Sequence, residues 1–250
     1  MEKKYELTDE TKEIDGHVLH RIKAIRHINW RIDAGDLGGF IENEDCLSHE
    51  GTCWVDNDAC VFAGSFVSED AVIYEKAIIK HSEVSGEVSV YDNAVVEYST
   101  IKDCVQIYNN AKISYCIITD RVEIHDDCKV SDVILFDEMH LSDNALINDD
   151  NDFIYVKGLG SENRGTTFFK CKDNEIRVNC GCFCGTIDEL EEKVKLRHSE
   201  RVSYREEYLN IARAVRIHFM TIQEYQNSIN NPPKKDTTID KLFKKILKIQ

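Results

Sequence analysis

A short, regular repeat runs through the middle of the chain and constrains its fold more than any other feature. Between residues 53 and 152, a small residue is often followed two positions later by an aliphatic one, at steps of six or five. Sixteen of the seventeen aligned positions are Val, Ile or Leu, and the exception is Ser85. Internal repetition at so short a period predicts a solenoid. The aligned positions are Val55, Val61, Val67, Ile73, Ile79, Ser85, Val90, Val96, Ile101, Ile107, Ile113, Ile118, Ile124, Val130, Leu135, Leu141 and Ile147.

A second, longer period supports the same fold. A six-residue step suits a short strand and a corner with alternate side chains inward, so steps of six, six and five make one three-sided coil. Asp and Asn tolerate left-handed backbone and bond to their own backbone, which is typical of corners. We therefore predict a mainly β fold built on a parallel β-helix. The Asp and Asn residues that recur once per coil are Asp92-Asn93, Asn109-Asn110, Asp126-Asp127 and Asp143-Asn144, and separately Asp103, Asp120 and Asp137.

The flanks of the repeat predict further domains. Asp15-Gly16 is typical of a hairpin turn. Thr186 and Glu189 have the spacing of a capping box that opens a helix, and a second amphipathic helix is predicted over about 204–225. The predicted domains are an N-terminal β cap (1–52), the parallel β-helix (53–152), a small α+β domain (153–230), and a linker with a basic amphipathic helical tail (231–250).

Charge and cysteine content exclude several classes of protein. The net charge is −15, and residues 53–152 hold 21 acidic against six basic side chains, which argues against binding to a nucleic acid polymer. The first residues lack the apolar stretch of a signal peptide, and no run approaches the roughly 20 apolar residues that span a bilayer. Most of the ten cysteines lie in strand-like runs and suit buried, reduced thiols. We expect a cytoplasmic protein without a membrane span.

The repeat resembles that of the hexapeptide-repeat family, and this resemblance implies a left-handed parallel β-helix. Over about residues 5–220 the chain is also similar to phage and prophage proteins of that kind, in the stretches Ala34–Ile41, Leu47–Gly51 and Cys180–Thr186. It departs from them at Cys184, where a basic residue is usual, and at Ser199, where Gly is usual. A phage-encoded protein would act in the cytoplasm of its host.

One histidine is a candidate catalytic residue. Hexapeptide-repeat acyltransferases use an outward-facing His as general base at a cleft between the subunits of a trimer, and the resemblance implies His125 for that role, with coenzyme A as cofactor. His125 follows inward-facing Ile124, and Asp126 or Asp127 could orient its ring. His81 and His140 are weaker candidates. The structural alternative is that His125 is one member of an outward column that recurs once per coil: Tyr91, Tyr108, His125 and Ser142.

Three other groups of residues have both a binding and a structural interpretation. Tyr91 and Tyr108 suit ligand or oligomer contacts, or simple cross-strand stabilisation. The loop GLGSENRGTTFF offers Arg164 for an anion and the hydroxyls of Thr166 and Thr167. Cys180, Cys182 and Cys184 alternate, which predicts that their thiols share one face of a strand, with Cys171 across the hairpin from them. Zinc sites favour closely spaced Cys pairs in loops, so we expect no metal site at these cysteines.

Three functions follow from these observations. The first is a non-catalytic, phage-type binding protein without a cofactor, forming a homo-oligomer (a trimer is favoured) that sequesters a host protein or a small anionic signalling nucleotide to blunt host defence. The second is a coenzyme-A-dependent acyltransferase. The third is a structural component of a virion. The sequence favours them in that order and leaves open whether the protein is an enzyme.

Overall fold

The fold is mainly β. A computed structural model of the chain describes residues 2–220 and Glu224. Within these residues, an N-terminal hairpin leads into a parallel β-solenoid, which ends in an antiparallel sheet covered by two helices. The predicted fold class is confirmed. The predicted linker and basic tail at 231–250 lie outside the described residues, as do residues 221–223 and 225–230 of the predicted α+β domain.

Three parallel sheets form the walls of the solenoid. The first sheet contains Leu37–Ile41, Cys60–Phe62, Ile78–Lys80, Val95–Glu97, Lys112–Ser114, Lys129–Ser131 and Leu146–Ile147. The second contains Trp54–Val55, Val72–Ile73, Ser89–Val90, Gln106–Ile107, Glu123–Ile124 and His140–Leu141. The third contains Phe66–Val67, Glu83–Val84, Thr100–Ile101, Ile117–Ile118 and Ile134–Leu135.

The register between coils places each aliphatic residue on its counterpart in the next coil. In the second sheet Val90 pairs with Ile107, and Ile107 pairs with Ile124, so the partners are separated by one full coil. All three side chains are fully buried. Because successive strand residues face opposite sides, the residue before each of them points outward. The aliphatic column therefore forms the core, and burial contributes about 1.5–3 kcal/mol for each side chain.

Side chains at the corners also link the coils. Asp92, Asn109 and Asp126 each have a left-handed backbone, with φ of 57°, 55° and 58°. The Oδ2 atom of Asp92 accepts a hydrogen bond from the backbone N–H of Asn109 at 3.0 Å, and Oδ1 of Asn109 accepts from Asp126 N–H at 3.2 Å. Oδ2 of Asp126 accepts a hydrogen bond from the backbone N–H of Asp143 at 2.9 Å. The corner carboxylates and amides thus stabilise the stacking of coils, as their recurrence once per coil predicted.

The alignment of the repeat at Ser85 is wrong by one residue. Val84, not Ser85, pairs with Ile101, and the Val84 side chain is fully buried. The five-residue step therefore occurs one step earlier than the alignment placed it. That step, from Ile79 to Val84, contains the corner at His81, which has a left-handed backbone with a φ of 50°. Gly86 lies in the six-residue step that follows, and a Cβ atom there would lie 2.5 Å from the carbonyl oxygen of Asp103.

The N-terminal hairpin is confirmed, and it covers the first coil. Tyr5–Ile14 and His17–Ala24 pair antiparallel around a turn at Asp15 and Gly16, both of which have positive φ. Leu37–Ile41 pairs with the second hairpin strand on one side and with the solenoid on the other. The hairpin therefore occupies the edge that the first sheet would otherwise expose.

The terminal domain combines a four-stranded antiparallel sheet, here called the terminal sheet, with two helices. Helix α1 spans Ile187–Arg197 and begins with the predicted capping box, in which Thr186 and Glu189 bond to each other's backbone. Helix α2 spans Val202–Phe219. No helix of the described residues is long and apolar enough to cross a membrane. The strands of the terminal sheet are Phe153–Leu159, Arg164–Lys170, Ile176–Cys180 and Phe183–Thr186, and 3-10 helices occur at Glu44–Cys46, Asp150–Asp152 and Gly160–Glu162.

The prediction that Cys180, Cys182 and Cys184 share one face of a strand is wrong. The predicted single strand is a hairpin, because Gly181 takes a φ of 56° and Cys180 pairs with Phe183 across the turn. Cys171 packs in the core of the solenoid, whereas Cys180 packs in the core of the terminal domain. In the sequence, a hairpin with a two-residue turn shows the same alternation of small residues as a single strand. The alternation was therefore misread as one strand with a shared face. All ten cysteines are free.

The terminal sheet caps the last coil of the solenoid. Phe168 and Phe169 are both fully buried, but Phe169 joins the solenoid core and Phe168 joins the core beneath the helices. The rim of this junction includes a buried carboxylate. Asp152 accepts a hydrogen bond from Lys170 Nζ at 2.6 Å and another from the backbone N–H of Asn148 at 2.9 Å. The solenoid and the terminal domain are thus joined by apolar packing and by a charged hydrogen bond.

The register can be tested with a pair of neighbouring substitutions. Ile107→Ala should lower the free energy of unfolding by about 2–5 kcal/mol, because it opens a cavity in the solenoid core. Gln106→Ala, one residue earlier on the outward face, should change it by no more than about 0.5 kcal/mol. Urea denaturation followed by circular dichroism measures both values. Equal losses in the two variants would contradict the register.

The junction should be sensitive to acid. Burial raises the pKa of Asp152, but the hydrogen bonds from Lys170 and Asn148 together outweigh it, so the pKa is lowered overall. Such a group adds stability that is fully present above the unfolded-chain pKa of about 3.9 and is lost as the pH falls through the folded-state pKa. Asp152→Asn should therefore be less stable than the parent at neutral pH and should lose less stability on acidification.

Denaturation curves at a series of pH values measure this effect, with Asp150→Asn as control because Asp150 is exposed and lies in the same 3-10 helix. Parallel losses in the parent and in Asp152→Asn would show that Asp152 does not contribute to acid sensitivity.

Candidate functional site

An aromatic column lies on the outward side of the second sheet and leads to His125. The rings of Tyr74, Tyr91, Tyr108 and His125 stack at successive centroid distances of 4.7, 4.8 and 4.8 Å. The predicted column therefore exists, but it starts one coil earlier, at Tyr74. Ser142 was the predicted last member of this outward column, but the terminal sheet buries it, so that part of the prediction is wrong.

Two histidines and a glutamate meet at the end of this column, and we call Glu123, His125 and His140 the junction cluster. The Nε2 atoms of His125 and His140 lie 2.7 Å apart, and the ring centroids 4.9 Å apart. Nδ1 of His125 lies 3.0 Å from Oδ2 of Asp126, as the sequence anticipated for an orienting carboxylate. Oε1 of Glu123 accepts a hydrogen bond from the Tyr108 hydroxyl at 2.6 Å.

The surroundings of the junction cluster favour a neutral His140. Burial lowers the pKa of His140, and the neighbouring His125 lowers it further, although the charge of Glu123 acts in the opposite direction. Burial also raises the pKa of Tyr108, with the hydrogen bond and charge of Glu123 adding to the effect. Tyr108 therefore remains a hydroxyl donor, and a neutral His140 has one ring nitrogen that can accept a hydrogen bond or act as a ligand.

The terminal sheet fixes the backbone of His140. The backbone N–H of His140 donates to Thr167 Oγ1 at 3.1 Å, and Asn179 Nδ2 donates to the His140 carbonyl at 3.0 Å. Thr166 and Thr167 are both buried, and the Thr166 hydroxyl bonds to the Cys180 sulfur at 3.1 Å. Their predicted role as ligand-binding residues stays a prediction, whereas the Thr167 hydroxyl joins the terminal sheet to the solenoid.

Sequence reasoning missed Glu123 and His140 as partners of His125. A signal was present, because Glu123 and His140 are separated by one full coil and pair directly in the second sheet. In that register both face outward beside the column that contains Tyr108 and His125.

An open groove runs from the junction cluster to the terminal sheet. Its volume is about 380 Å³. Arg164 forms one wall and is paired with Glu162, while Arg121 on the solenoid side is paired with Glu138. The groove is lined by Arg121, Glu123, Glu138, Met139, His140, Arg164, Gly165, Asn179 and Gly181.

A second, smaller cavity of about 80 Å³ lies on the other side of Arg164, between the terminal sheet and the helices. We call it the basic pocket, because Arg164, Lys193 and Arg197 all line it. Glu162 is the only acidic side chain among its described lining residues. Its remaining lining is Ser161, Cys180, Phe183, Leu190, Val194, His198 and Tyr208.

The structure therefore brings several predicted site residues to one end of the molecule. Tyr91 and Tyr108 lead to His125, and Arg164 lies across the groove from His140. Their roles in binding or catalysis remain predictions. Lys193 and Arg197, which sequence analysis did not select, join Arg164 because α1 packs against the terminal sheet.

Comparison with known proteins agrees with this architecture. Residues 55–132 match the family described as GlmU-like, C-terminal hexapeptide. No curated protein matches the chain. The matched residues are those of the parallel coils, with their constant register and inward aliphatic columns. The parallel coils of this chain are a hexapeptide-repeat β-helix.

Proposed function

We propose that the protein is a non-catalytic binding protein that takes a small anionic ligand in the basic pocket of its terminal domain. The observation that carries this proposal is the convergence of Arg164, Lys193 and Arg197 on one cavity in a chain with a net charge of −15. Arg164 is paired with Glu162, the one acidic residue of the described lining, so the three basic side chains leave an excess of positive charge that suits an anionic ligand.

The shape of the pocket supports a phosphate-bearing ligand. A cavity of about 80 Å³ suits a phosphate-sized group, and the ring of Phe183 lies 4.7 Å from Lys193 Nζ at its wall. Arg164 lines both this cavity and the groove of about 380 Å³, so the remainder of a ligand can continue over Arg164 into the groove. A nucleotide has this combination of a compact anion and a larger polar body.

The biological role follows from the resemblance to phage proteins. In that setting, sequestration of a small signalling nucleotide in the host cytoplasm would blunt a host defence. Binding without turnover is sufficient for this role, so it requires no cofactor.

Acyl transfer is the alternative function. Both ring nitrogens of His125 have partners, Nδ1 with Asp126 and Nε2 with His140. Nε2 would therefore have to separate from His140 before His125 could act as a general base on a substrate hydroxyl.

We also propose that the protein is a homo-oligomer, with a trimer favoured. The outward side of the third sheet and the corner before it expose several large apolar side chains, and Ile117 and Ile134 are 47% and 56% exposed. These two are neighbours in the sheet, and Tyr98 stacks on Tyr115 at 4.9 Å beside them. Hexapeptide-repeat proteins often form trimers, and a contiguous apolar face of this kind suits contact with a second copy of the chain.

Ligand binding can be tested by calorimetric titration of the full chain with ADP, and with adenosine as the uncharged counterpart. ADP should bind and adenosine should not. Lys193→Ala, Arg197→Ala and Arg164→Ala should each weaken ADP binding about tenfold or more, since a charge-assisted hydrogen bond contributes about 1.5–3 kcal/mol.

Arg213→Ala is the matched control, because Arg213 is an exposed base on α2 outside the pocket. Titrations should be run with a chelator present. Equal binding of ADP by the parent and the three pocket variants would refute the assignment of the pocket.

Self-association can be tested by native mass spectrometry. Ile117→Glu should reduce the oligomer to a monomer, because it places a charge in the centre of the apolar face. Gln106→Glu adds a charge to an outward position of the second sheet and should leave the oligomer intact. A parent protein that is monomeric at micromolar concentration would contradict the proposal.

A further inference from the structure

We propose that the junction cluster is a binding site for a divalent transition-metal ion, with zinc the preferred ion, and that Glu123, His125 and His140 are its ligands. One ligand atom from each residue lies within 4.8 Å of the other two. The site is separate from the basic pocket, so this inference goes beyond the proposed function.

The donor set suits zinc. Two imidazole nitrogens and one carboxylate oxygen are common zinc ligands, whereas calcium and magnesium prefer oxygen ligands alone. Two nitrogens on a tetrahedral zinc ion lie about 3.3 Å apart, because each bond is about 2.0–2.1 Å long. The Nε2 atoms of His125 and His140 lie 2.7 Å apart. Both can bind one ion if the two atoms move about 0.6 Å further apart.

Binding of the ion requires one proton of His140 to change its ring nitrogen. The distances fit an arrangement without an ion in which Nδ1–H of His125 donates to Asp126 and Nε2 of His125 accepts from Nε2–H of His140. When the ion binds, His140 carries its proton on Nδ1 instead. Both Nε2 atoms then present lone pairs to the metal, with both imidazoles neutral.

Partners outside the cluster already orient each ligand. Asp126 holds Nδ1 of His125 at 3.0 Å, which is the carboxylate–histidine arrangement that commonly supports metal ligands. Tyr108 donates to Glu123 at 2.6 Å. The backbone of His140 is held by Thr167 and Asn179.

The position of the cluster leaves room for a further ligand. Glu123 and His140 line the groove of about 380 Å³, so the fourth coordination position faces it. Arg164 and Asn179 also line this groove. Three protein ligands with an open fourth position are typical of zinc sites that bind water or an anionic group.

The test is metal titration of the full chain after removal of metals with a chelator. Zn²⁺ should bind one ion per chain in competition with a chromogenic chelator. Co²⁺ should give the visible absorption of a tetrahedral nitrogen and oxygen site, without the near-ultraviolet band of cobalt–thiolate charge transfer. His125→Gln and His140→Gln should each abolish this site, and His27→Gln, a change at an exposed histidine, should retain it.

A second pair of variants keeps the test decisive if a histidine variant fails to fold. Asp126→Asn should weaken zinc binding about 10–100-fold, as loss of an outer carboxylate partner usually does. Asp92→Asn is its matched control, because Asp92 occupies the same corner two coils earlier, beside Tyr91 and not beside a histidine.

Three results would overturn the proposal. They are zinc binding of equal strength in the parent and in Asp126→Asn, retention of the cobalt spectrum in folded His140→Gln, and a cobalt–thiolate band that disappears in Cys182→Ser.

Discussion

The parallel pairing of each coil with the next, in one constant register, is the constraint on which the rest of this structure depends. It places Val90, Ile107 and Ile124 in one buried column, and it places Tyr91, Tyr108 and His125 in one outward column. The same pairing sets Glu123 beside His140. The core and the junction cluster are therefore two consequences of a single register.

The acidity of the chain follows partly from the same constraint. Each left-handed corner favours Asp or Asn, and each of these side chains can accept the backbone N–H of the next coil, as Asp103 does from Asp120 at 3.1 Å and Asp120 from Asp137 at 3.0 Å. Several of the 21 acidic residues between 53 and 152 therefore have a structural cause. The basic residues gathered around Arg164 lie outside this acidic segment.

The terminal sheet turns an ordinary solenoid end into a candidate functional site. Phe169 closes the core of the last coil, while Phe168 on the opposite face supports the helices. Because α1 packs on this sheet, Lys193 and Arg197 reach the cavity beside Arg164. Arg164 in turn separates the basic pocket from the groove that leads to His140. The two proposed sites are thus neighbours that share one wall.

The repeat was predictable because a buried aliphatic position every five or six residues leaves a direct trace in the sequence. The error at Ser85 arose because a five-residue step depends on the backbone of a corner, which spacing alone does not reveal. The cysteine hairpin was missed because Gly181 and Cys182 have the alternation of a strand. The approach of His140 and Glu123 to His125 and the basic pocket were missed for another reason: each requires knowledge of which coil or helix lies against its neighbour.

The central claim is that the functional surface lies where the terminal sheet meets the last coils. A crystal structure of the full chain grown with ADP tests it most directly. We predict that the phosphates contact Arg164, Lys193 and Arg197 and that the nucleoside extends toward the groove. A nucleotide bound on a face of the solenoid, or an empty basic pocket at saturating ADP, would contradict the account.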